Sequence, residues 1–266
     1  MVDPNLAEFD FVSNNFLRDE LKTQYLTYIY SCAVSDIFRE KRFIADYSAG
    51  YSMGIYAALV NAYIVNFGDG LLMIKKAYET IRKIVQDKKF GMCSIIGLSR
   101  EDINNMIYSL NLHVEITNQN SDFAFVLSGL HEDVQRLLEA ARIEGALHIH
   151  LLNVSLPYHS TFLNKTRDSF GDFIEKISFA NPQASIISLI DQRILTDPEV
   201  LKEEVVKNLF TPLNWFETQS DLLKSGIDLF IECGLGNNLA KNSKFIEGDF
   251  KFYTVSGFLN FISKGL

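Results

Sequence analysis

Strand and helix patterns alternate along this 266-residue chain except between residues 91 and 152, where the order becomes strand, helix, strand, strand, helix, strand. That interruption limits the fold more than any other feature. A βαββαβ order is the split-βαβ, ferredoxin-like arrangement, an antiparallel sheet backed by two helices. Strands at 92–98, 113–118, 123–128 and 147–152 carry it. Ser99 with Asp102 three residues on forms a capping-box pattern, starting a helix to about residue 110. Val134, Leu137, Leu138 and Ala141 give a second helix, 132–144, stopped by Gly145.

Outside the insert the signals are those of a layered α/β fold. Leu26, Ile29, Tyr30, Ala33 and Ile37 recur at helical spacing over 21–39, an extended run covers 43–49, and 55–63 reads as helix again. Leu71, Ile74, Tyr78, Ile81 and Val85 follow at intervals of 3, 4, 3 and 4, one apolar stripe on a helix. After the insert, Leu163, Thr166, Phe170, Phe173, Ile174 and Ile177 define a helix stopped before Asn181-Pro182. Strand patterns at 186–190, 228–233 and 252–255 alternate with helical ones at 200–209 and 215–224. Strands alternating with helices imply a parallel sheet covered on both faces.

Composition narrows the function classes. With 47% hydrophobic residues a sizeable core can form. Net charge is −8 and pI about 5.2, which implies no basic face for nucleic acid. Lys75-Lys76 and Lys88-Lys89 read as solvated helix faces. Cys32, Cys93 and Cys233 are far apart, as for reduced thiols in a cytoplasm. Asp3, Glu8 and Asp10 near the start do not make a signal peptide. No apolar run reaches the roughly 18 residues of a membrane span; residues 25–34 are interrupted by Thr27 and Ser31. No metal-ligand spacing stands out.

The strongest local chemical signal is Gly50-Tyr51-Ser52-Met53-Gly54, set between a strand and a helix. This is the nucleophile-elbow pattern. The tight turn pushes the serine out of the sheet, and the new helix offers free N–H groups, above all that of Met53, to a developing oxyanion. The plainer reading is a turn whose serine only caps the helix. A nucleophilic serine needs a base. His113, His148 and His150 fall in strands of the insert, and His131 at a helix start. His159 follows Leu156-Pro157-Tyr158 in a loop just after the insert, the mouth between two bodies, where a base can face a nucleophile. His150 is the next candidate.

The stretch Gly50 through Leu59 resembles the Gly-His-Ser-Leu-Gly-Glu-Tyr element of malonyl-CoA:acyl-carrier-protein transacylases and of polyketide-synthase acyltransferase domains. Thr23-Gln24-Tyr25 is similar to the start of that family's preceding helix. Gly91-Met92-Cys93-Ser94-Ile95-Ile96-Gly97 resembles the strand that leads into its small subdomain, and Asn118-Gln119-Asn120-Ser121 an Asn-rich turn there. Val154-Ser155-Leu156-Pro157-Tyr158-His159-Ser160 resembles the segment bearing the catalytic histidine. Phe210-Thr211-Pro212-Leu213-Asn214-Trp215 and Glu232-Cys233-Gly234-Leu235-Gly236 match two closing landmarks. The resemblance runs in order from about residue 23 to 243.

It implies an α/β-hydrolase-like core, residues 1–90 and 153–266, with residues 91–152 as a ferredoxin-like subdomain. Ser52 would be the nucleophile, His159 its base, the Asn208 carbonyl the group orienting His159, and the Met53 N–H an oxyanion donor. Tyr51, Ile55, Ala77, Asn118, Asn120 and Tyr158 would surround the substrate. The implied reaction is ping-pong acyl transfer between thioesters of coenzyme A or phosphopantetheinyl acyl carrier protein, with no resident cofactor. The setting is polyketide or fatty-acid-type biosynthesis in the cytoplasm, without nucleic acid or membrane. A carrier-thioester hydrolase and a non-catalytic carrier-binding module are the alternatives. The acylation rate should depend on a base titrating at roughly pH 6 to 7.

Three departures stand out. The family opens with a strand and a Gly-Gln-Gly loop whose glutamine N–H completes the oxyanion hole, yet no glycine precedes Gly50 here. Either the chain is shortened, or the alternating stretch 9–12 fills in, or catalysis is weakened; one lost oxyanion donor costs about 3 kcal/mol. Tyr51 and Ile55 replace the usual histidine and glutamate beside the nucleophile. Ala77 stands where malonyl-selective members carry a carboxylate-binding arginine, which points to an uncharged acyl group.

Overall fold

The computed structural model describes residues 19–86 and 88–263; the stretch 9–12 lies outside them. Helix α1 (Glu20–Glu40) starts where the Asp19 carboxylate accepts the Lys22 N–H at 3.1 Å. Strand β1 (Tyr47–Ala49) leads through the Ser52 turn into α2 (Gly54–Asn61). Helix α3 (Phe67–Val85) is capped by Asn66, whose side chain accepts the Asp69 N–H. That cap starts α3 four residues before the apolar stripe. Leu71, Ile74, Ile81 and Val85 of the stripe are buried in the main core, Tyr78 is half-buried against it, and Ala77 is buried beside them.

The insert comprises β2 (Phe90–Ile96), α4 (Arg100–Ser109), β3 (Val114–Ser121), β4 (Ala124–Leu130), α5 (His131–Ile143) and β5 (His148–Leu151). The Ser99–Asp102 capping box is present in both directions. Spatial order is β5-β2-β4-β3, with every neighbouring pair antiparallel. This sheet buries its own apolar cluster, including Cys93, Ile95, Ile103, Phe125, Leu127, Val134 and Leu137.

The chain returns through α6 (Thr166–Ile174), β6 (Ser185–Ile187), β7 (Ile194–Leu195) and α7 (Pro198–Lys207). It continues with β8 (Leu213–Asn214), α8 (Trp215–Lys224), β9 (Leu229–Glu232), α9 (Asn238–Asn242), β10 (Lys251–Thr254) and α10 (Val255–Ser263). Parallel pairing is found as expected, β1 with β6 and β9 with β10, but among the described residues the two pairs are not one hydrogen-bonded sheet. They meet through side chains instead, with Ile187, Phe230, Tyr47 and Phe252 in one cluster. Strand 186–190 is cut short because the Ser188 hydroxyl accepts the N–H groups of Ile190 and Asp191, turning the chain back as β7. Strand β8, absent from the sequence reading, adds a parallel edge to the insert's sheet, pairing Leu213 with Asn118 and Asn214 with Gln119.

Candidate active site

Ser52 sits between β1 and α2 with φ +55°, a left-handed conformation that costs a non-glycine residue roughly 1–3 kcal/mol. The turn is closed by Gly54 N–H donating to the Tyr51 carbonyl at 2.9 Å and Ile55 N–H to that of Ser52 at 3.2 Å. Gly50 is required by close approach: a Cβ there would collide with the Ile55 backbone. Gly54 is not; a Cβ there meets open space. The two glycines that frame the motif therefore do different things, which their symmetry in the sequence hides.

His159 is buried, at 2% exposure, and it too is held at positive φ, +60°. Its loop is pinned by Ser160, whose hydroxyl donates to the Pro157 carbonyl, and by its own N–H donating to the Leu209 carbonyl at 2.8 Å. The imidazole Nδ1 lies 2.6 Å from the Asn208 carbonyl and Nε2 lies 2.7 Å from Ser52 Oγ. A carbonyl can only accept, so the proton sits on Nδ1 and Nε2 presents its lone pair to the serine hydroxyl. Residues 107 positions apart are thus joined as donor and acceptor. Burial pushes His159 down to about 4, opposed in part by the Asn208 carbonyl. The titration expected near pH 6 to 7 is therefore displaced: the ring sits away from water with no carboxylate bonded to it among the described residues. The N–H of Met53, at the start of α2, donates to no described residue.

Around this pair, Tyr51 donates its hydroxyl to Asn120 Oδ1 at 3.0 Å and packs edge-on to Trp215, with ring centroids 6.2 Å apart. Burial pushes the Tyr51 phenol up to about 12, against its hydrogen bonds to Asn120 and Asn118. Asn118 is buried beside it, and its Oδ1 has no hydrogen-bond partner among the described residues. Ile55 and Ala77 are both buried in the main cluster, with Met53 and Tyr158 packed against it. Lys76, next to Ala77, places its ammonium over the Phe173 ring, 6.0 Å from the centroid. The Tyr158 hydroxyl accepts from Gln24 Nε2 at 2.7 Å, and burial together with the nearby Glu20 carboxylate raises its pKa.

The other histidines are elsewhere. His148 and His150 are exposed on β5, and His113 is tied to Asp133. A cleft of about 700 Å³, lined by Glu20, Tyr78, Arg82, His131 and Ser155 among others, contains neither Ser52 nor His159. Among the described residues no cluster of three or more His, Cys, Asp or Glu could hold a metal ion, and no helix is long and apolar enough to cross a membrane. The Gln24 contact to Tyr158 spans 134 positions and the Asn208 amide contact to Ser52 spans 156, with no local pattern to announce either.

No family model matches the chain. Individual proteins do. It is 26% identical over 260 residues to a malonyl CoA-acyl carrier protein transacylase of Staphylococcus aureus (strain MRSA252), covering 94% of this chain and 84% of the relative. To the protein of the same name from Bacillus subtilis (strain 168) it is 27% identical over 230 residues, covering 85% and 72%. Among solved structures it superimposes with a TM-score of 0.89 and 25% identity on a complex of a type II PKS acyl-carrier protein with its malonyl-transacylase, over 98% of this chain and 86% of that one. The malonyl CoA-acyl carrier protein transacylase of Coxiella burnetii gives 0.84 and 27%, over 92% and 78%.

Proposed function

We propose that this chain is an acyltransferase of the kind it is similar to, the malonyl-CoA:acyl-carrier-protein transacylases, and that it moves a neutral acyl group between thioesters, by way of an ester on Ser52, onto an acyl carrier protein. The observation that carries the reading is the 2.7 Å contact from Ser52 Oγ to His159 Nε2, with Nδ1 anchored on the Asn208 carbonyl. In the first half-reaction Ser52 Oγ gives its proton to Nε2 and attacks the thioester carbonyl carbon. The Met53 N–H meets the resulting oxyanion. The C–S bond then breaks, and the departing sulfur takes the proton from His159 and leaves as a thiol. In the second half the carrier's phosphopantetheine thiol gives its proton to Nε2 and attacks the Ser52 ester. The C–O bond breaks and the proton returns to Ser52 Oγ.

Ala77 supports the neutral substrate. It is buried on α3 in the cluster that holds Ile55, so position 77 offers a malonyl carboxylate no cation, and burying an unpaired carboxylate is strongly unfavourable. An alkyl chain instead gains about 0.8 kcal/mol per buried CH₂. The reading takes the larger body as α/β-hydrolase-like, residues 91–152 as ferredoxin-like, and needs no resident cofactor. Polyketide or fatty-acid-type biosynthesis is the setting it fits. The test is intact mass after mixing with acetyl, medium-chain acyl and malonyl thioesters. A neutral adduct on Ser52 that then moves to a carrier thiol supports the reading. Absence of any adduct sinks it, release of free acid makes the protein a hydrolase, and a clear malonyl preference removes the role given to Ala77.

A further inference from the structure

Asn208 contributes more to the site than its carbonyl. It follows the last turn of α7 and is buried, at 5% exposure. Its backbone carbonyl accepts from His159 Nδ1. Its side-chain Nδ2 donates, at 3.2 Å, to the backbone carbonyl of Ser52. The next carbonyl along, that of Leu209, accepts the His159 N–H. One short segment therefore grips both residues that carry positive φ at this site, Ser52 and His159.

The side-chain bond reaches further because of what shares its peptide. The Ser52 carbonyl and the Met53 N–H belong to one planar trans unit, in which C=O and N–H point in opposite directions. Fixing the oxygen end fixes the direction of the hydrogen end. The oxygen end has two donors, Ile55 N–H from within the turn and Asn208 Nδ2 from a separate element. Only the second ties the peptide plane to the segment that also holds His159. We propose that the Asn208 amide is a positioning residue that aims the Met53 N–H at the oxyanion formed on Ser52. The inference rests on the acyl-transfer reading above.

The two roles of Asn208 separate cleanly under mutation. A side-chain substitution keeps the backbone carbonyl that His159 bonds and changes only the group that reaches the Ser52 carbonyl. Asn208→Leu is neutral and keeps the same branched outline of heavy atoms, and Asn208→Gln retains an amide donor on a longer stem. Aiming an oxyanion donor acts on the transition state and not on substrate binding. Asn208→Leu is therefore expected to lower kcat for acyl transfer on the order of tenfold with KM nearly unchanged. The pH at which the rate falls stays where it is in the parent, because His159 keeps its partners. Asn208→Gln recovers part of the loss. A second readout is independent of activity. The chain has 5 methionines, so selective ¹⁵N-methionine labelling gives a sparse amide spectrum. The Met53 amide should shift in Asn208→Leu while those of Met92 and Met106, in the insert, stay fixed.

An unmoved Met53 amide, or an unchanged kcat in a parent that does acylate, overturns the inference. So does a fall in kcat accompanied by a displaced pH limb, since the amide would then be acting through His159. If the parent forms no acyl adduct, the functional reading itself fails, and the Met53 shift still decides the structural coupling. Asn208→Ala serves the same comparison should the leucine variant not fold.

Discussion

At the scale of single residues, the proposed reaction is divided between Ser52 and His159. Ser52→Ala removes the atom that would carry the acyl group and leaves the turn's backbone bonds in place, so the variant should fold and show no mass adduct with any thioester. An adduct on that variant would falsify the assignment of the nucleophile. His159→Ala should slow single-turnover acylation by about 10²- to 10⁴-fold, the usual contribution of a positioned base. In the parent the rate should be flat from pH 8 to about pH 5 and fall by half near pH 4, because burial holds the imidazole neutral down to about 4. A rate already halved at pH 6.5 would mean that water reaches the ring. Ala77→Arg should raise kcat/KM for malonyl relative to acetyl thioesters, since it supplies a bidentate cation on the buried face of α3; an unchanged ratio would place the acyl pocket elsewhere. That Ser52 and His159 would meet was legible because each sits in a short stretch that resembles a family element. The Asn208 amide and Gln24 were not, because their contacts join segments more than 130 positions apart and depend on side-chain direction, which spacing does not encode.

At the scale of elements, the elbow is the vulnerable point. Gly50→Ala places a Cβ against the Ile55 backbone, and backbone yields less readily than a side-chain tip. The cost should be at least about 2 kcal/mol in a denaturant melt, with acylation lost as α2 moves off. Gly54→Ala, with open space at the Cβ, should be near neutral or stabilising, since alanine propagates helix better than glycine. Equal losses in both variants would contradict the geometry. Helices with one apolar stripe, α3 and α5, were read to within a few residues, because burial selects for 3.6-residue periodicity. The short pieces escaped. Strands β7 and β8 have 2 residues each, too few to show alternation, and they exist only because a partner strand passes nearby. Helix α10 was missed as well: its apolar run Phe258, Leu259, Phe261, Ile262 follows a strand without a break, and tertiary contact of Phe258 with Val34 and Phe38 fixes it.

At the scale of the whole molecule, His159 couples the site to stability. The unfolded imidazole takes up a proton near its ordinary value of 6.5, whereas the folded one stays neutral until about 4. Between these pH values the unfolded state binds more protons, so stability is full above about 6.5 and is lost as pH falls toward 4. The loss attributable to this one group is at most about 3 kcal/mol. Chemical denaturation of the parent and of His159→Gln at pH 7 and pH 5 isolates it: the parent should lose more on acidification, and equal losses would show that the ring titrates normally in the fold. The βαββαβ order of the insert was readable throughout, since each element repeats its period long enough to be seen. How the insert joins the larger body was not, because that depends on β8 and on long-range side-chain bonds such as Tyr51 to Asn120. This two-residue strand has a mechanical consequence. The backbone that supports the base, Asn208 and Leu209, runs on within five residues to Leu213, which is laddered to Asn118 on the insert's edge. The strap is too short to carry slack. Parting the insert from the larger body along this edge would strain that ladder and the carbonyl behind His159 together, so the stretch of chain that orients the imidazole is also one of the joints between the two bodies.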